Sequence, residues 1–580
     1  MAEKRRRRRR IKPVPVIVTL FIIAAIVVGV VLVVNKYGPS GNVTDLDYYY
    51  NLTANEEEEI PAAEADELAI VLEELILKGR AIKKDDEVYV PYTILKNNID
   101  TRIHYDVAEN LLLFTNAAQI VEAHEDDPSY TVNGASETLD HPAYISRNNK
   151  IYISMDFITR FIDATYAEYT NPRRVVIQYT RGDVQFVEAT RNTEVRVRGG
   201  IKANVVGTVE KGSKLKVIEH LGDWVECASP EGWVGYVNAS HVTKPFTETV
   251  TSDYTEPEYT HKLVDGKIVM GWAGIYSSEG NGEYSTLTSG TQHMNVYSPT
   301  WYSLMDGEGA IQSFATAEAV EAAHNDGRMV WALFGDAKYD FSENVLTHTS
   351  IRRKVIDWIM EDINALGIDG INIDFECIKS EYGGDYIQFI RELSVACRQA
   401  GKYLSVDNYT PYDFNACYHI EEQIKLVDYV VVMSYDDYVG SGNIGPNCST
   451  PFLRTSVDTT ISKIEDSSRL IVGLPFYSRF WFYQTDENGD KVEINSAEFS
   501  MARAYAQLDA AGIGCEWDAE LGCDYAHYAY EGEEVDAWLE GSDAFRAKLD
   551  VLSEYSVAGI STWQLGQEKE GIWDMIAERY

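Results

Sequence analysis

The C-terminal half of this 580-residue chain is predicted to fold as an α/β (β/α)8 barrel. Eight short apolar strand patterns alternate with helix-like stretches over residues 262–580, as repeated βα units require. The strand patterns lie at 267–272, 294–298, 329–334, 371–376, 403–408, 429–435, 470–475 and 559–563. A chain of this length exceeds what one core can hold, so the protein should be multi-domain, with further domains before the barrel.

The chain begins with a basic tail at 1–13, which contains Arg5 to Arg10, and continues with an uncharged apolar run at 14–34. This run of 21 residues spans roughly 31 Å as a helix, enough to cross the core of a bilayer. It exceeds the apolar core of a secretory signal, and no small-residue cleavage site follows it. We therefore expect one transmembrane helix, a signal anchor in the cell membrane, with a cytoplasmic N-terminus and an extracellular body.

Charge is divided unevenly along the chain. Residues 1–36 hold nine of the 51 Lys and Arg residues and one of the 91 Asp and Glu residues, which leaves 42 basic against 90 acidic residues in the rest. Repulsion from phosphates excludes nucleic acid as a partner of that acidic body. The arginine run alone could indicate a nucleic-acid patch, but the adjoining apolar run favours the membrane anchor.

An acidic linker is predicted at 35–66, and an internal repeat follows it. Residues 87–95 resemble residues 150–158 at an offset of 63 positions. The duplication predicts an α+β domain at 67–182, which resembles the stalk-type repeat named after the N-terminal domain of copper amine oxidases. No copper is implied, because the sequence shows no ligand cluster. A passive spacer or a wall-contacting module is the expected role.

Residues 185–245 carry short β-rich runs separated by glycine-containing turns, a pattern typical of a small β-barrel. The segments 222–224 and 232–237 resemble parts of a bacterial SH3 domain. That resemblance implies contact with wall peptides. An alternative is nearly as well supported: the two tryptophans in these segments form the hydrophobic core of the module. A second linker is expected at 246–261.

The most informative motif runs from Asp369 to Glu376 and reads Asp-Gly-Ile-Asn-Ile-Asp-Phe-Glu. It follows a helix-like stretch that stops at Gly367, and it has the pattern of a strand. Side chains alternate between the two faces of a strand, so Asn372, Asp374 and Glu376 share one face opposite an apolar one. Stacked carboxylates repel each other, so one of them should hold a proton near neutral pH and serve as a general acid.

This segment resembles the fourth-strand signature of glycoside hydrolase family 18, Asp-Gly-x-Asp-x-Asp-x-Glu, in a variant similar to spore-cortex and cell-wall hydrolases. The resemblance implies that Glu376 is the catalytic acid and that Asp374 assists it. Asn372 departs from the signature, which usually has Asp there; its amide can hydrogen-bond Asp374 but cannot take up negative charge. Asp369, which opens the signature, is a candidate for substrate binding.

Other predicted strand ends carry elements similar to the same family. Met433, Tyr435 and Asp436 match its Met-x-Tyr-Asp element, which implies that Tyr435 and Asp436 hold an acetamido group of the substrate. Arg479 stands in a stretch similar to Gly-x-Pro-x-Tyr-x-Arg, and it could orient acids or substrate or form a structural ion pair. Trp563 ends the last strand, where an aromatic ring suits the C–H face of a sugar. Weaker candidates at other strand ends are Tyr297, Trp301, Asn408 and Trp272.

The resemblance implies cleavage after an N-acetylated sugar with retention, the acetamido oxygen of the substrate being the nucleophile. Glu376 would protonate the leaving oxygen and then act as a base on water, while Asp374 would stabilise charge on the oxazolinium ring. No cofactor is implied, and no His-Glu-x-x-His or Cys-x-x-Cys pattern suggests a metal. The seven cysteines do not suggest a disulfide framework; Cys515 and Cys523 could pair, but free thiols are expected for most.

Two functions from different classes remain open from the sequence. One is a membrane-anchored extracellular glycosidase acting on N-acetylglucosamine linkages, in peptidoglycan or, more narrowly, in chitin. The other is a sugar-binding or scaffold protein of the cell wall with little or no catalytic activity. The presence of both Glu376 and Asp374 favours the enzyme, and the wall-directed accessory modules favour peptidoglycan over chitin.

Overall fold

The computed structural model describes residues 13–58, 60–291, 293–336, 339–376, 378–439, 443–487 and 489–580. The predicted basic tail at 1–13 lies outside these residues apart from Pro13, and Cys377 lies outside them as well. The chain divides into two compact units. The first contains the residues up to Thr101 with 125–128 and 139–256, and the second contains 102–124, 129–138 and 257–580.

Eight parallel strands close into a barrel in the second unit. In chain order they are β1 Ile268–Ala273, β2 Val296–Pro299, β3 Met329–Asp336, β4 Gly370–Asp374, β5 Tyr403–Tyr409, β6 Tyr429–Met433, β7 Leu470–Pro475 and β8 Gly559–Trp563. Each strand pairs with the next, and β8 pairs with β1 to complete the ring. Every predicted strand overlaps one of them, so the predicted (β/α)8 barrel is confirmed.

Helices of the second unit alternate with these strands along the chain. They span Tyr284–Leu287, Ala317–Asn325, Tyr339–Thr347, Thr349–Leu366, Gly383–Ala400, Ile420–Leu426, Thr450–Ile464, Met501–Ala511, Ser542–Leu552 and Ile572–Ala577. The helix before β4 buries Val355, Ile359 and Ile363, which recur every four residues on one face. It ends at Gly367, whose left-handed φ of 73° confirms the predicted stop.

Alternation along β4 separates two environments, as the sequence predicts. Ile371, Ile373 and the following Phe375 belong to the apolar core that also contains buried helix residues such as Ile359. Each such side chain contributes about 1.5–3 kcal/mol by leaving water. Asn372 lies on the opposite face, where the barrel interior contains residues such as Trp272.

A five-stranded antiparallel sheet is inserted between β7 and β8. Its strands, in spatial order, are Lys491–Ser500, Tyr477–Thr485, Glu533–Leu539, Cys523–Tyr530 and Glu516–Asp518. Its first strand along the chain begins at Tyr477, two residues after β7 ends. The insertion therefore leaves the barrel at the carboxyl end of β7 and brings Tyr477 and Arg479 close to that end.

The second unit also contains an antiparallel sheet from the predicted stalk region. Its strands Ile103–Asp106, Leu111–Thr115, Ile120–His124, Ser129–Val132 and Ala135–Thr138 pair in chain order. It contacts the helix Gly383–Ala400, because Gln388 Nε2 donates to Thr115 Oγ1 (2.9 Å) and Arg398 Nε donates to the Ala117 carbonyl (3.1 Å). The predicted domain at 67–182 is thus divided between the two units rather than forming one body.

Both copies of the predicted repeat lie in a seven-stranded sheet of the first unit. In spatial order its strands are Thr165–Thr170, Arg173–Gln178, Glu67–Leu72, Leu75–Lys84, Glu87–Pro91, Lys150–Ser154 and Tyr144–Arg147. The two repeat strands are antiparallel neighbours, with Tyr152 opposite Pro91 and Ile153 opposite Val90. Each is followed by a helix, Tyr92–Asn98 in one copy and Met155–Ile158 in the other, so the structure contains the predicted strand–helix duplication.

A second seven-stranded sheet confirms an N-terminal β domain. Its strands, in spatial order, are Val205–Val209, Thr193–Arg196, Val234–Asn238, Trp224–Ala228, Lys214–Leu221, Gly182–Glu188 and Phe246–Val250. Trp233 packs against its core and covers Gly207, where a Cβ would lie 2.4 Å from the indole ring. The likeness to an SH3 domain stays a prediction. The linker predicted at 246–261 was wrong for its first residues, which form the last of these strands.

The predicted acidic linker at 35–66 is partly packed rather than a free spacer. It contains a short helix, Leu46–Tyr49, and the residue after this helix, Tyr50, is fully buried. The Tyr50 hydroxyl donates to the Gly232 carbonyl at 2.8 Å. Composition indicated solvation here because acidic residues outnumber the few aromatic ones that anchor the segment.

The apolar run predicted at 14–34 lies within one helix, Pro13–Tyr37. Among the residues that the structure describes, no helix is both long and apolar enough to cross a membrane. The predicted transmembrane helix is therefore not confirmed.

All six described cysteines are free, as expected for most of them. The alternative of a Cys515–Cys523 disulfide is therefore not observed.

Candidate active site

Both the oxygen and the nitrogen of the Asn372 side-chain amide are hydrogen-bonded in the barrel interior. Trp272 Nε1 donates to its Oδ1 (2.8 Å), and its Nδ2 donates to Ser405 Oγ (3.0 Å) and to Asp407 Oδ1 (2.7 Å). An indole nitrogen can only donate, so the Trp272 contact fixes which end of the amide faces Asp407. The amide therefore bonds Asp407 on β5, not Asp374 as the sequence suggested.

Asp374, the last residue of β4, lies opposite Asp407 on β5. The strands pair Asn372 with Ser405 and then the next residues in order, so Asp374 and Asp407 follow in register. Asp407 is 2% exposed. Asp374 Oδ1 and Asp407 Oδ2 are both buried and lack a hydrogen-bond partner in the described part of the chain.

Burial makes both carboxyl groups hard to ionise. Removal from water raises the pKa of Asp374 well above its ordinary value, and the charges of Asp407, Glu376 and Asp336 raise it further. Burial likewise raises the pKa of Asp407, although the hydrogen bond from Asn372 opposes the change. Two adjacent buried carboxyls in this setting favour holding a proton over carrying two charges.

Glu376 lies two residues beyond the end of β4, not at its last position as predicted. The residue is exposed, and its backbone N–H donates to Asp336 Oδ1 at 2.8 Å. Although the residue as a whole is exposed, its carboxyl is partly shielded from water, which raises its pKa; the charge of Asp436 adds to the rise, while a hydrogen bond from the Tyr409 hydroxyl lowers the pKa. The net rise keeps the carboxyl protonated to higher pH than an ordinary glutamate, as a general acid requires.

The sixth strand brings Met433 and Tyr435 to the same region. Met433 is 5% exposed and belongs to the interior cluster, against which Tyr435 and Trp563 pack. Tyr435 lies over Gly473 of β7, where a Cβ would be 3.3 Å from its ring. Burial raises the pKa of the Tyr435 hydroxyl well above its ordinary value, so this group stays a hydrogen-bond donor.

Asp436 is fixed by two donors from the inserted sheet. The Tyr477 hydroxyl (2.7 Å) and Arg479 Nη2 (2.6 Å) both donate to its Oδ1. Its backbone has a left-handed φ of 59°, and its N–H donates to Asn447 Oδ1 at 3.0 Å. Arg479 also pairs with Glu498 at 2.9 Å. Arg479 therefore forms a structural ion pair and, through it, orients an acid of the site.

Trp563 ends β8 and is half-buried beside the interior cluster. Its ring lies edge-on to Trp272, with 6.0 Å between the ring centroids. The Trp272 indole is in turn bonded to Asn372. The candidate aromatic floor is thus connected to Asp407 on β5 through the ring contact with Trp272 and the hydrogen bonds of Asn372.

Asp369 lies at the wrong end of β4 to contact this site. It precedes Gly370, where the strand begins, and its carboxylate accepts from the Val330 N–H (2.8 Å) and pairs with His324 (2.8 Å). Five strand residues at about 3.3 Å each separate it from Asp374 by roughly 16 Å. Its predicted role in substrate binding was wrong.

Tyr297 and Trp301 do not line the site either. Both are fully buried in the core cluster that contains the apolar face of β4, and Trp301 Nε1 donates to Asn281 Oδ1 (2.7 Å). Val296 takes the interior position of β2, so the next residue, Tyr297, faces outward. Asn408 on β5 is likewise buried and bonds Gln423. These predicted substrate contacts are structural residues.

The sequence interpretation missed three residues of the site: Asp407, Tyr409 and Tyr477. Asp407 and Tyr409 alternate along β5 in the way that Asn372 and Asp374 alternate along β4. The available signal for Asp407 was an acidic residue within the predicted strand 403–408. Tyr477 is the Tyr of the Gly-x-Pro-x-Tyr-x-Arg element that pointed to Arg479, so the element itself was the available signal.

A protonated acid beside coupled carboxyls and an aromatic surface suits protonation of the leaving oxygen of a sugar. Fold and site together define a glycoside hydrolase. Residues 232–568, more than half of the chain, match the family described as Glycosyl hydrolases family 18. The chain belongs to this family.

Relatives of this chain carry similar descriptions. The uncharacterized glycosylase YvbX of Bacillus subtilis is 23% identical over 317 residues, which cover 52% of this chain and 89% of the relative. The cortical fragment-lytic enzyme of Bacillus subtilis is 22% identical over 251 residues, covering 41% of this chain and only 55% of that protein. The solved C-terminal domain of a candidate chitinase from Desulfitobacterium hafniense shares the fold, with a TM-score of 0.50, 22% identity, and coverage of 54% of this chain and 99% of that domain.

The N-terminal region has a family match of its own. Residues 73–192 match the family described as Copper amine oxidase N-terminal domain, which confirms the resemblance predicted for the repeat. Within the described residues, no group of three or more His, Cys, Asp or Glu is placed to hold a metal ion.

Proposed function

We propose that this protein cleaves the glycosidic bond after an N-acetylated sugar, with the acetamido oxygen of the substrate as nucleophile. The observation that carries the proposal is the combination of Glu376 at the surface with Asp374, whose Oδ1 is buried without a partner. An unpaired buried acceptor costs about 1–3 kcal/mol. An acetamido N–H that donates to it offsets this cost and orients the acetamido oxygen toward the anomeric carbon.

Each candidate residue then has a defined role. Glu376 protonates the leaving oxygen and later takes a proton from water. Asp374 stabilises the positive charge of the bicyclic oxazolinium intermediate. Tyr435 and Asp436 hold the acetamido group, and Trp563 packs under the sugar ring. The inactive sugar-binding alternative is disfavoured because both acids are present at neighbouring positions of one strand end.

Peptidoglycan is the proposed polymer. The name of the cortical fragment-lytic relative supports it. The SH3-like module predicted at 185–245 would fit the same polymer, since its resemblance implies contact with wall peptides. Chitin is the second candidate, since the similar Desulfitobacterium domain is described as a candidate chitinase.

A cell-membrane location is also proposed, with the catalytic unit outside the cell. The large apolar side chains described from Val18 to Val34 are 49–74% exposed along the helix Pro13–Tyr37. A helix that is apolar on all sides needs apolar surroundings. The arginines at 5–10 precede it and favour the cytoplasmic side.

Product analysis tests the proposed reaction. The full-length protein in detergent is incubated with purified peptidoglycan, with the same polymer after deacetylation, and with chitooligosaccharides, and the products are identified by mass spectrometry. Cleavage of acetylated peptidoglycan, with little or none of the deacetylated form, is expected. Equal turnover of both forms would exclude substrate assistance and make Asp374 the first suspect for an enzyme nucleophile. Cleavage of chitooligosaccharides alone would favour the chitinase.

A further inference from the structure

Two unpaired acid oxygens lie side by side in the barrel interior. Asp374 and Asp407 lie opposite each other in register, directly after the pair Ile373 and Val406, on the parallel neighbours β4 and β5, whose backbones are about 4.8 Å apart. Both side chains belong to the inward-facing set, because the residue two positions before each one, Asn372 or Ser405, joins the same hydrogen-bonded group. Asp374 Oδ1 and Asp407 Oδ2 are buried, and neither has a partner among the described residues.

The amide of Asn372 determines which oxygen of Asp407 is available. Trp272 occupies the Asn372 Oδ1, so both amide hydrogens point away from it, one to Ser405 and the other to Asp407 Oδ1. Asp407 Oδ1 is therefore the acceptor oxygen, and Asp407 Oδ2 is the one left to carry a proton. No amide hydrogen of Asn372 remains for Asp374.

We propose that Asp407 is a positioning residue that shares one proton with Asp374, and so supplies the second acid that Asn372 cannot. The inference rests on the proposed function for its catalytic meaning, but the shared proton is a property of the protein alone. One proton satisfies both unpaired oxygens. It also removes one of the two charges that would otherwise meet in the barrel interior.

The shared proton lets the negative charge of the pair settle on Asp374 during the reaction. Before substrate binds, the pair carries one negative charge and one proton. When the acetamido N–H reaches Asp374, the proton stays on Asp407 Oδ2, and Asp374 presents a full negative charge to the forming oxazolinium ring. The count of protons is the same in both states. The other titratable groups that face the pair are Glu376, Asp336, Tyr386, Tyr409 and Tyr435.

Exchange of the acid and the amide tests the proposal kinetically. In Asp407→Asn the new amide donates permanently to Asp374, so kcat should fall about 10- to 100-fold while KM changes little. A tenfold loss of rate corresponds to the same free energy as a change of about one unit in a pKa. The acidic limb of the pH profile should also move to lower pH, because that donor stabilises the charged form of Asp374. The double variant Asn372→Asp with Asp407→Asn restores one acid and one amide and should recover part of the rate. A wild-type rate and pH profile in Asp407→Asn would overturn the proposal, and so would a double variant no faster than Asp407→Asn.

Infrared spectroscopy provides a test that does not need turnover. In the Glu376→Gln protein at neutral pH, the shared proton should appear as a protonated carboxylic acid. Adding Asp407→Asn should remove that signal, whereas adding Asp428→Asn, which changes a buried aspartate bonded to the Leu404 N–H, should leave it. A Glu376→Gln protein with no protonated carboxyl contradicts the proposal even if the double variants fail to fold. If the wild-type protein cleaves no N-acetylated glycan but the Glu376→Gln protein shows the signal, the proposed function is rejected and the proton-sharing pair is kept.

Discussion

Asp106 caps a helix that begins 243 residues further along the chain. Its Oδ2 accepts hydrogen bonds of 2.6 Å from both the backbone N–H and the Oγ1 of Thr349. Both residues are almost completely buried, and His348, the residue at the N-cap position, makes no side-chain cap of its own. The sheet at 103–138 therefore supplies an end group that the helix before β4 does not contain, and β4 carries Asp374.

Asp106→Ala should lower the free energy of unfolding of the catalytic unit by about 1–3 kcal/mol, because it leaves two buried donors of Thr349 without an acceptor. Thermal unfolding followed by circular dichroism measures the loss. Asp357→Ala, on the exposed side of the same helix, is the matched control and should change little. Equal losses in the two variants would show that the cap does not stabilise the unit.

Glu376→Gln should reduce turnover by at least about 100- to 1000-fold, since the amide cannot donate an acidic proton to the leaving oxygen. Gln has nearly the same shape, so the unfolding temperature should stay close to that of the wild type. Initial rates on an N-acetylated substrate measure the effect, with Glu318→Gln on an exposed helix turn as the control. An unchanged rate would place the proton donor elsewhere.

Tyr435→Phe should cost less, about 10-fold in kcat/KM, because it removes one hydrogen bond to the acetamido group and leaves the acids in place. The ring still packs against Gly473 and the interior cluster. Steady-state kinetics on the same substrate give the value. A loss as large as that of Glu376→Gln would give the hydroxyl a direct part in the chemistry.

Tyr409→Phe should move the basic limb of the kcat/KM profile to higher pH. Glu376 acts as an acid only while protonated, so activity is present below its pKa and is lost as the pH rises through it. Desolvation raises that pKa, and the Tyr409 hydrogen bond holds it lower than it would otherwise be. Removing the hydroxyl abolishes the lowering effect. Profiles of wild type and of Tyr530→Phe, an exposed tyrosine of the inserted sheet, serve as references; a limb that moves to lower pH contradicts the assignment.

The proposed membrane topology predicts the outcome of proteolysis on intact cells. Added protease should digest the catalytic unit and leave a short protected fragment that contains the arginines at 5–10. Immunoblotting with an N-terminal tag detects the fragment. A catalytic unit that resists digestion until the cells are broken would overturn the topology.

Much of the barrel could be predicted because each strand is short, apolar and followed by helical periodicity. Asp374 and Glu376 followed from local spacing and from a resemblance that the family match bears out. The wrong site predictions depended on where each strand begins and on which of its residues face the barrel interior, and residue spacing does not determine either. Asp369 was placed with the site although it precedes the strand, and Tyr297 was named as a weaker candidate at a strand end although Val296 takes the interior position there.

The relation between Asn372 and Asp407 could not be predicted from sequence for a different reason. It depends on the register between β4 and β5, and a shift of one residue would reverse the face of every side chain. The cap from Asp106 to Thr349 is similar, because nothing near either residue indicates the other. Contacts across such distances arise only when the whole unit is assembled.

The separation of residues 102–124 and 129–138 from the rest of the stalk region also has a consequence for biosynthesis. At about 5–20 residues per second, the ribosome needs roughly 12–50 s to proceed from Asp106 to Thr349. During that interval the strand Leu111–Thr115, which is buried along its whole length in the finished protein, has no helix to cover it. A nascent chain with such an apolar strand is prone to aggregate, so production of this protein should depend strongly on chaperones or on slow, cool expression.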